Sequence, residues 1–408
     1  MSERTLWRDH DFLKLWSGQA VSQVGSKITR DGLPYAAVLM LSASPMQMAI
    51  LTGAGAAVVL VFGLFAGAWA DRMRRRPLMI AADLGRAVVL LTIPLAAMLH
   101  RLTMGHLYVV TALSAPLTVI FDVSYQAYLP SLVNREQVLE GNSKLSLTES
   151  IAEVAGPGLA GFLVQWITAP IAILLDAFSF VCSAISLGLI RRPEPPLERG
   201  PQPHMVREIA EGLRFSWHNP ILRAMVLRTA TASFFLGFGS MYVLLAIREL
   251  GLNTAQLGVV IAVGGAGSLL GSLAAESLVR RFGFNRIFLA SAALPTFGMM
   301  LPALAYGPVW ICAGVLMVAQ IFDIAWPVYN ITRMTARQAI TPAPILGRTN
   351  SAMHLIYHGL LPLGALTGGA LAEIAGVRAA MLTGGLGFLL STLWLFFSPL
   401  RHMRTLPG

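Results

Sequence analysis

Charge and cysteine are scarce in this chain. Only 12% of its 408 residues are Asp, Glu, Lys or Arg, and the acids number 20. An ordinary soluble domain carries about twice that charged fraction. The two cysteines, Cys182 and Cys312, both lie inside apolar runs. That excludes a disulfide framework and leaves packing as their role. No Gly-x-x-x-x-Gly-Lys-Ser/Thr loop occurs, so the chain is not by itself an ATP-driven pump. No Ser-His-Asp arrangement and no His-Glu-x-x-His motif supports an intramembrane hydrolase, and the chain reads as no enzyme. Gly265-Ala-Gly267-Ser-Leu-Leu-Gly271 imitates a dinucleotide fingerprint with one residue too many. In its apolar setting these small residues serve close helix contact. A small-residue cleavage site is missing behind the first apolar segment, which is long and interrupted by charges. That segment reads as a spanning helix and not as a cleaved leader.

What the chain does have is apolar length. Hydrophobic residues make up 55% of it. Twelve apolar stretches, most of them about 20 residues or longer, follow in series. They cover 12–41, 47–70, 78–99, 105–130, 144–166, 170–190, 221–247, 255–279, 285–306, 308–332, 346–372 and 376–398. They predict an all-α integral membrane protein of twelve transmembrane helices. The one long polar stretch, 191–220, opens with Arg191-Arg-Pro-Glu-Pro-Pro196, a stiff exit from the sixth helix. Met205, Ile209, Leu213 and Trp217 then recur every four residues, with Arg207, Glu208, Glu211 and Arg214 between them. This pattern predicts a short amphipathic helix on the inner membrane surface. The chain accordingly divides into an N-terminal six-helix bundle (1–190), a cytoplasmic linker (191–220) and a C-terminal six-helix bundle (221–408).

The net charge of +10 would suit nucleic acid, but the arginines sit in short turns between apolar runs and not on one solvated face. Residues 60–80 show this best. An apolar run ends in Gly67-Ala-Trp-Ala-Asp71-Arg72, three further arginines follow by residue 76, and Pro77 opens the next run. With both termini inside, 23 of the 30 basic residues are cytoplasmic and only Arg101, Arg248 and Arg378 are external. That bias sets the orientation. The halves also repeat. Ile120-Phe-Asp-Val-Ser-Tyr-Gln-Ala-Tyr128 returns 201 residues later as Ile321-Phe-Asp-Ile-Ala-Trp-Pro-Val-Tyr329. Gly67 and Asp71 return as Gly271 and Glu276, and Gly156-Pro-Gly-Leu-Ala-Gly161 returns as Gly364-Ala-Leu-Thr-Gly-Gly369. A repeat of half the chain length fits two pseudo-symmetric bundles that rock about a site at their interface.

Gly67-Ala-Trp-Ala-Asp71-Arg72-Met-Arg-Arg75-Arg76 resembles the loop 2–3 signature of the major facilitator superfamily, commonly Gly-x-Leu-Ala-Asp-Arg-x-Gly-Arg-Arg/Lys. It departs from that signature at Trp69 and Arg74. Glu211-Gly-Leu-Arg-Phe215 with Asn219-Pro-Ile-Leu-Arg223, together with Ser22-Gln-Val-Gly25, Ser44-Pro45 and Gly156-Pro157, is similar to the bacterial branch of siderophore (enterobactin-type) and macrolide exporters. The resemblance covers nearly the whole chain and implies the major facilitator fold, export and proton antiport. It also implies an Asp–Arg–Asp relay that latches the cytoplasmic side, here Asp71, Arg75 and Asp122 beside Gly67 and Arg72. Glu276, Arg280 and Asp323 offer a parallel set in the second half. The alternative is that Asp71 and Glu276 merely cap loops.

An ionisable group inside a spanning helix is costly and needs a reason. Gln19, Ser22, Gln23, Ser26, Lys27 and Arg30 step by three and four along the first helix and share one face, with Asp31 at its edge. That face predicts a cavity wall on which Lys27, Arg30 and Asp31 contact substrate and protons. An internal ion pair, Lys27 with Asp31 or Arg30 with a carboxylate elsewhere, is the other reading. In the fifth helix Glu149 and Glu153 lie on the face of Ser146 and Gly156. A desolvated glutamate beside a second carboxylate can exchange a proton near neutral pH, which makes these two, with Asp31, the proton-coupling candidates. Hydrogen bonding to Arg30 or Arg228 is their alternative role. Gly156-Pro157, with Gly161, resembles the antiporter signature of the fifth helix without its full glycine pattern, and close packing explains it equally. His354 and His358 stand four apart with no third metal ligand in view. They read as cavity-lining or packing residues. Tyr125, Tyr128, Trp326 and Tyr329 flank the repeated aspartates and would stack on an aromatic substrate or between helices. Asp176 predicts a structural hydrogen bond.

These residues predict a secondary transporter of the bacterial inner membrane that exports an amphipathic small molecule, drug or siderophore-like, in exchange for protons. Its partners are the bilayer, the small molecule and protons, without nucleic acid or metal. It needs no cofactor beyond the proton gradient and acts as a monomer. An uptake symporter or facilitator, or a transport-inactive sensor on the same fold, are the alternatives.

Overall fold

The computed structural model describes residues 6–70, 73–194 and 205–402. Every secondary-structure element among those residues is helical. The first six helices are α1 (His10–Met40), α2 (Pro45–Ala70), α3 (Arg75–Met98), α4 (Met104–Leu132), α5 (Val138–Ile167) and α6 (Ala169–Gly188). The linker helix α7 (Met205–His218) and α8 (Pro220–Leu236) follow. A 3₁₀ turn, the short α9 (Tyr242–Leu244) and a π turn then carry the chain on to Glu249. Beyond lie α10 (Thr254–Phe282), α11 (Phe284–Ala293), α12 (Pro295–Leu304) and α13 (Val309–Ile321). The last are α14 (Ala325–Ile340), α15 (Ala343–Ala375), α16 (Val377–Ser391) and α17 (Leu393–Phe396).

Among the described residues eleven helical stretches are long and apolar enough to cross a bilayer, from Pro45–Gly63 to Val377–Phe396. The sequence predicts twelve. The one outside the eleven is α1, whose 31 residues carry the polar face from Gln19 to Asp31. Large apolar side chains such as Val88, Trp166 and Ile374 stay exposed on the helices, a surface suited to lipid and not to water.

Polar residues set the helix starts. Asp9 accepts hydrogen bonds from the Asp11 and Phe12 N–H groups, and Asn219 does the same for Ile221 and Leu222 behind Pro220. Asn253 and Gln256 form a reciprocal capping box at α10. These side chains satisfy N–H groups that a helix leaves unpaired, which is required where no water can do so.

The chain forms two compact units. One comprises Met1–Ser42 with Val58–Gln202, the other Ala43–Ala57 with Pro203–Gly408. The sequence assigned the whole of 1–190 to the first bundle, whereas the first turns of α2 belong with the second unit. Gly369 of α15 lies close enough that a Cβ there would come within 2.5 Å of the Ala49 Cβ. The Glu373 carboxylate accepts from the Met46 N–H at 3.1 Å.

In the first unit α1 packs on α5 and α6, and α3 packs on α4 and α6. In the second, α8 packs on α15 and α16, α12 on α13 and α16, and α10 on α13 and α14. Glycines permit the closest approaches. A Cβ on Gly156 of α5 would stand 2.5 Å from the Lys27 Cβ of α1, and one on Gly364 of α15 would strike the Phe234 carbonyl of α8. Gly364 follows Gly156 by 208 residues and Phe234 follows Lys27 by 207. The turn closing α5 has Thr168 at φ 76° and ψ 156°, and the turn closing α15 has Gly376, again 208 residues on, at φ 90° and ψ 156°. The sequence repeat thus has a counterpart in the local packing of each unit.

The linker helix α7 packs on α15 and α8. Gly212 and Ser216 are buried, and a Cβ at Gly212 would collide with the Arg348 carbonyl. Leu213 and Trp217 remain exposed.

Candidate functional site: one polar cavity in each unit

The polar face of α1 opens on a cavity of about 660 Å³ in the first unit. Gln19, Ser22, Gln23, Ser26, Lys27 and Arg30 line it from α1, Asp122, Tyr125 and Gln126 from α4, and Asn142, Ser146 and Glu149 from α5. The close approach at Gly156 brings α5 against α1 and sets Glu153, one turn earlier, opposite Lys27. Glu153 accepts hydrogen bonds from the Lys27 ammonium and, at 2.8 Å, from the Arg30 guanidinium. Lys27 therefore takes its carboxylate from α5 and not from Asp31. Asp31 stands 3.7 Å from the Arg30 Nε, and its other oxygen is buried without a partner. It does not line this cavity. Pro157 and Gly161 are buried on α5. No ion pair among the described residues engages Glu149 or Asp122, so both present carboxylates to the cavity.

Sequence reasoning missed the partner of Arg86. Asp83 and Arg86 of α3 form a buried ion pair, and the Arg86 guanidinium is sandwiched 4.5 Å from the Phe121 ring centre and 4.1 Å from that of Phe180. Arg86 also reaches the cavity wall. The available signal was Asp83 itself, an acid inside an apolar run three residues before an arginine. Asp176 of α6 is buried and accepts from Ser179 Oγ at 2.9 Å.

The cavity of the second unit holds about 480 Å³. Arg228 and Ser233 of α8 line it, with Trp326, Tyr329, Asn330, Arg333 and Arg337 of α14 and Asn350, His354, Tyr357 and His358 of α15. Trp326 stacks on Phe388 at 6.3 Å, and Tyr329 is buried against Phe288 at 5.4 Å. His354 and His358 lie ring to ring at 4.2 Å. Among the described residues no cluster of three metal-ligating side chains surrounds them. Arg333 and Arg337 also escaped the sequence reading, which counted them as cytoplasmic loop charges. Their spacing of four, continuing the Tyr329 face, was the signal.

Only part of the expected latch falls among the described residues. Asp71 and Arg72 lie outside the described residues, and Gly67 falls in the last turn of α2. The Arg75 N–H donates to the Glu194 carboxylate at 2.8 Å, and Arg76 reaches the Leu187 carbonyl with its guanidinium. This fastens the start of α3 to the end of α6. No ion pair joins Arg75 to Asp122 among the described residues. Glu276 and Arg280 face each other at 3.8 Å, both exposed. Asp323 stands apart from them in the 3₁₀ turn before α14, on a smaller pocket of about 220 Å³ with Tyr242 and Gln320.

A membrane-suited all-helical fold, an internal packing repeat and a polar cavity in each unit define a multi-pass transporter of the major facilitator kind. The chain belongs to that superfamily's transmembrane secretion effector family, whose profile matches residues 4–406. It is 26% identical over 394 residues to the multidrug efflux pump Tap of Mycolicibacterium fortuitum, covering 92% of both chains. The macrolide efflux protein A of Streptococcus pyogenes is 24% identical over 384 residues, again 92% of each. The enterobactin exporter EntS of Escherichia coli is 26% identical over 391 residues, 91% of this chain and 88% of its own. Among solved structures, the nucleoside transporter NupG superposes with a TM-score of 0.77 at 11% identity, over 95% of this chain and 98% of its own, a likeness of fold alone.

Proposed function

We propose that the protein exports an amphipathic small molecule across the bacterial inner membrane in exchange for protons, by alternating access. In this reading α1 is a twelfth spanning helix, both termini are cytoplasmic, and the proton gradient replaces any cofactor. The named activities of Tap, macrolide efflux protein A and EntS support export of drug- or siderophore-like compounds. The carboxylates of the first cavity carry the proton-exchange part of the reading. Glu153 is committed to two cations, whereas Glu149 and Asp122 face the cavity unengaged. A carboxylate open to a polar cavity can alternate between proton and cationic or hydrogen-bonding partners as access changes. Glu149 and Asp122 are therefore the proton carriers, and Lys27, Arg30 and Glu153 form a fixed ionic hinge between α1 and α5.

Proteoliposomes loaded with a pH-sensitive dye test this. A substrate is first found by retention of drugs and siderophores in an efflux-deficient host. Glu149→Gln and Asp122→Asn should each reduce substrate-dependent proton flux at least about tenfold, on the scale of losing a positioned acid–base group. Flux unchanged in both variants would sink the assignment. Substrate export with no proton movement in wild type would sink the exchange reading itself.

A further inference from the structure

Cations in the interior of the first unit have acids beside them: Lys27 and Arg30 have Glu153, and Arg86 has Asp83. The second unit departs from this. Arg228 is 3% exposed, and its Nε is buried with no partner. One amino group donates to the Ala292 carbonyl at 3.2 Å. Its guanidinium carbon lies 4.0 Å from the centre of the Tyr329 ring, and that of Arg333 lies 5.6 Å from the same ring. Arg337 follows one turn later on the same cavity wall, and the Nε atoms of Arg333 and Arg337 are also buried without partners.

None of the acids between 203 and 408 compensates them. Glu211 bonds to Arg207 and Arg348, Glu249 to Arg378, and Glu276 faces Arg280. Glu373 holds the Met46 N–H, Glu208 lies on α7, and Asp323 belongs to the smaller pocket. Three guanidinium groups therefore converge on one half-enclosed cavity whose lining contains no carboxylate. Rings offset part of this charge. They cannot accept the in-plane hydrogen bonds that guanidinium N–H groups donate, and the three buried Nε–H groups have no acceptor.

We infer that this cavity binds the acidic group, a carboxylate or sulfonate, of an organic anion. Arg333 and Arg337 receive it at the mouth, Arg228 sets the charge of the inner wall, and Trp326 and Tyr357 flank the body of the ligand. The inference rests on the transport reading above and gives it a substrate class: amphipathic acids, aromatic ones fitting the ring-lined wall.

Calorimetric titration of the purified full-length protein in neutral detergent tests it with a matched pair, 1-naphthoate and the uncharged 1-naphthamide. The acid should bind at least about tenfold more tightly, the effect of one charge-assisted hydrogen bond. Arg333→Gln and Arg337→Gln should each erase most of that preference, and Arg333→Lys should keep part of it. Size-exclusion profiles confirm that the variants are folded, and Arg228 is left intact because of its burial. Equal affinity for acid and amide would overturn the inference, as would a preference that survives both glutamine variants. Binding of sn-glycerol 3-phosphate without binding of naphthoate would assign the arginines to a lipid headgroup and also overturn it. No proton gradient is present in this assay. Charge-selective binding with failed proton exchange would leave the site standing and refute the exchange reading, and intact exchange without such binding would refute the site alone.

Discussion

Removing the Glu153 carboxylate is the most direct test of how α1 and α5 are held. Glu153→Gln keeps the shape of the side chain, deletes its charge and replaces one of its two accepting oxygens with a donor. The Lys27 side chain is only 15% exposed, while Glu153 is 44% and Arg30 47% exposed. A fully buried cation left unpaired costs about 3–5 kcal/mol, and an exposed pair is worth about 0–1 kcal/mol. Lys27 lies near the first limit, and the half-exposed glutamate and arginine lie nearer the second. The substitution should therefore cost about 2 kcal/mol, nearly all of it through Lys27. A double-mutant cycle with Lys27→Met isolates this, because the double variant leaves no stranded ammonium and should recover about 1–2 kcal/mol. The readout is unfolding in mixed micelles followed by circular dichroism, on the purified full-length protein. A coupling energy below about 0.5 kcal/mol, the level expected of independent sites, would refute the ionic hinge.

The Asp83–Arg86 pair and the turn at Thr168 are open to test in the same way. The Asp83 side chain is 0% exposed and that of Arg86 5%, so Asp83→Ala should cost about 3–5 kcal/mol, whereas Asp83→Leu with Arg86→Met should recover most of that loss; equal stability of the single and double variants in the micelle assay would rule out charge stranding as the cause. Thr168 occupies φ 76° and ψ 156°, a region that suits glycine and strains a β-branched residue. Thr168→Gly should therefore raise stability by about 1 kcal/mol after the entropic cost of glycine, and a loss measured by thermal unfolding would show that the Thr168 side chain makes a contact worth more than the strain.

The helices and the polar face of α1 were legible because both are local properties. A run of about 20 apolar residues must cross a bilayer or be buried, and residues three and four apart must share a face. Gly156 was legible as a packing residue for the same reason, since a small residue in a membrane helix marks a close neighbour. The partner of Lys27 was not legible. Asp31 is four residues away and Glu153 is 126, and only the α1–α5 crossing at Gly156 decides between them. Arg333 and Arg337 were missed for the opposite reason. They lie past the apolar run that ends at 332, where composition starts a loop, yet α14 continues to Ile340 and both line the cavity wall. Asp83 was hidden by averaging, because one acid among so many apolar neighbours barely changes the character of its segment.

The repeat that the sequence displays most clearly is also where the two units diverge in chemistry. Ile120–Tyr128 runs through one continuous helix, and Asp122 opens onto the large cavity. Its counterpart breaks into a 3₁₀ turn at Phe322–Ile324. There a Cβ on Gly264 would stand 2.9 Å from one Asp323 carboxylate oxygen, and a Cβ on Gly298 would stand 3.6 Å from the other. Glycines on α10 and α12 thus close around Asp323, and what they leave is the small pocket it shares with Tyr242 and Gln320. The repeated aspartates thus have different surroundings: one lines a large polar cavity, the other is closed in by glycines of α10 and α12. The main cavities differ in the same sense. The first mixes lysine and arginine with carboxylates, while the second gathers arginines without any. The two units repeat one local packing pattern, and the side chains at their cavity walls give the two cavities different charge.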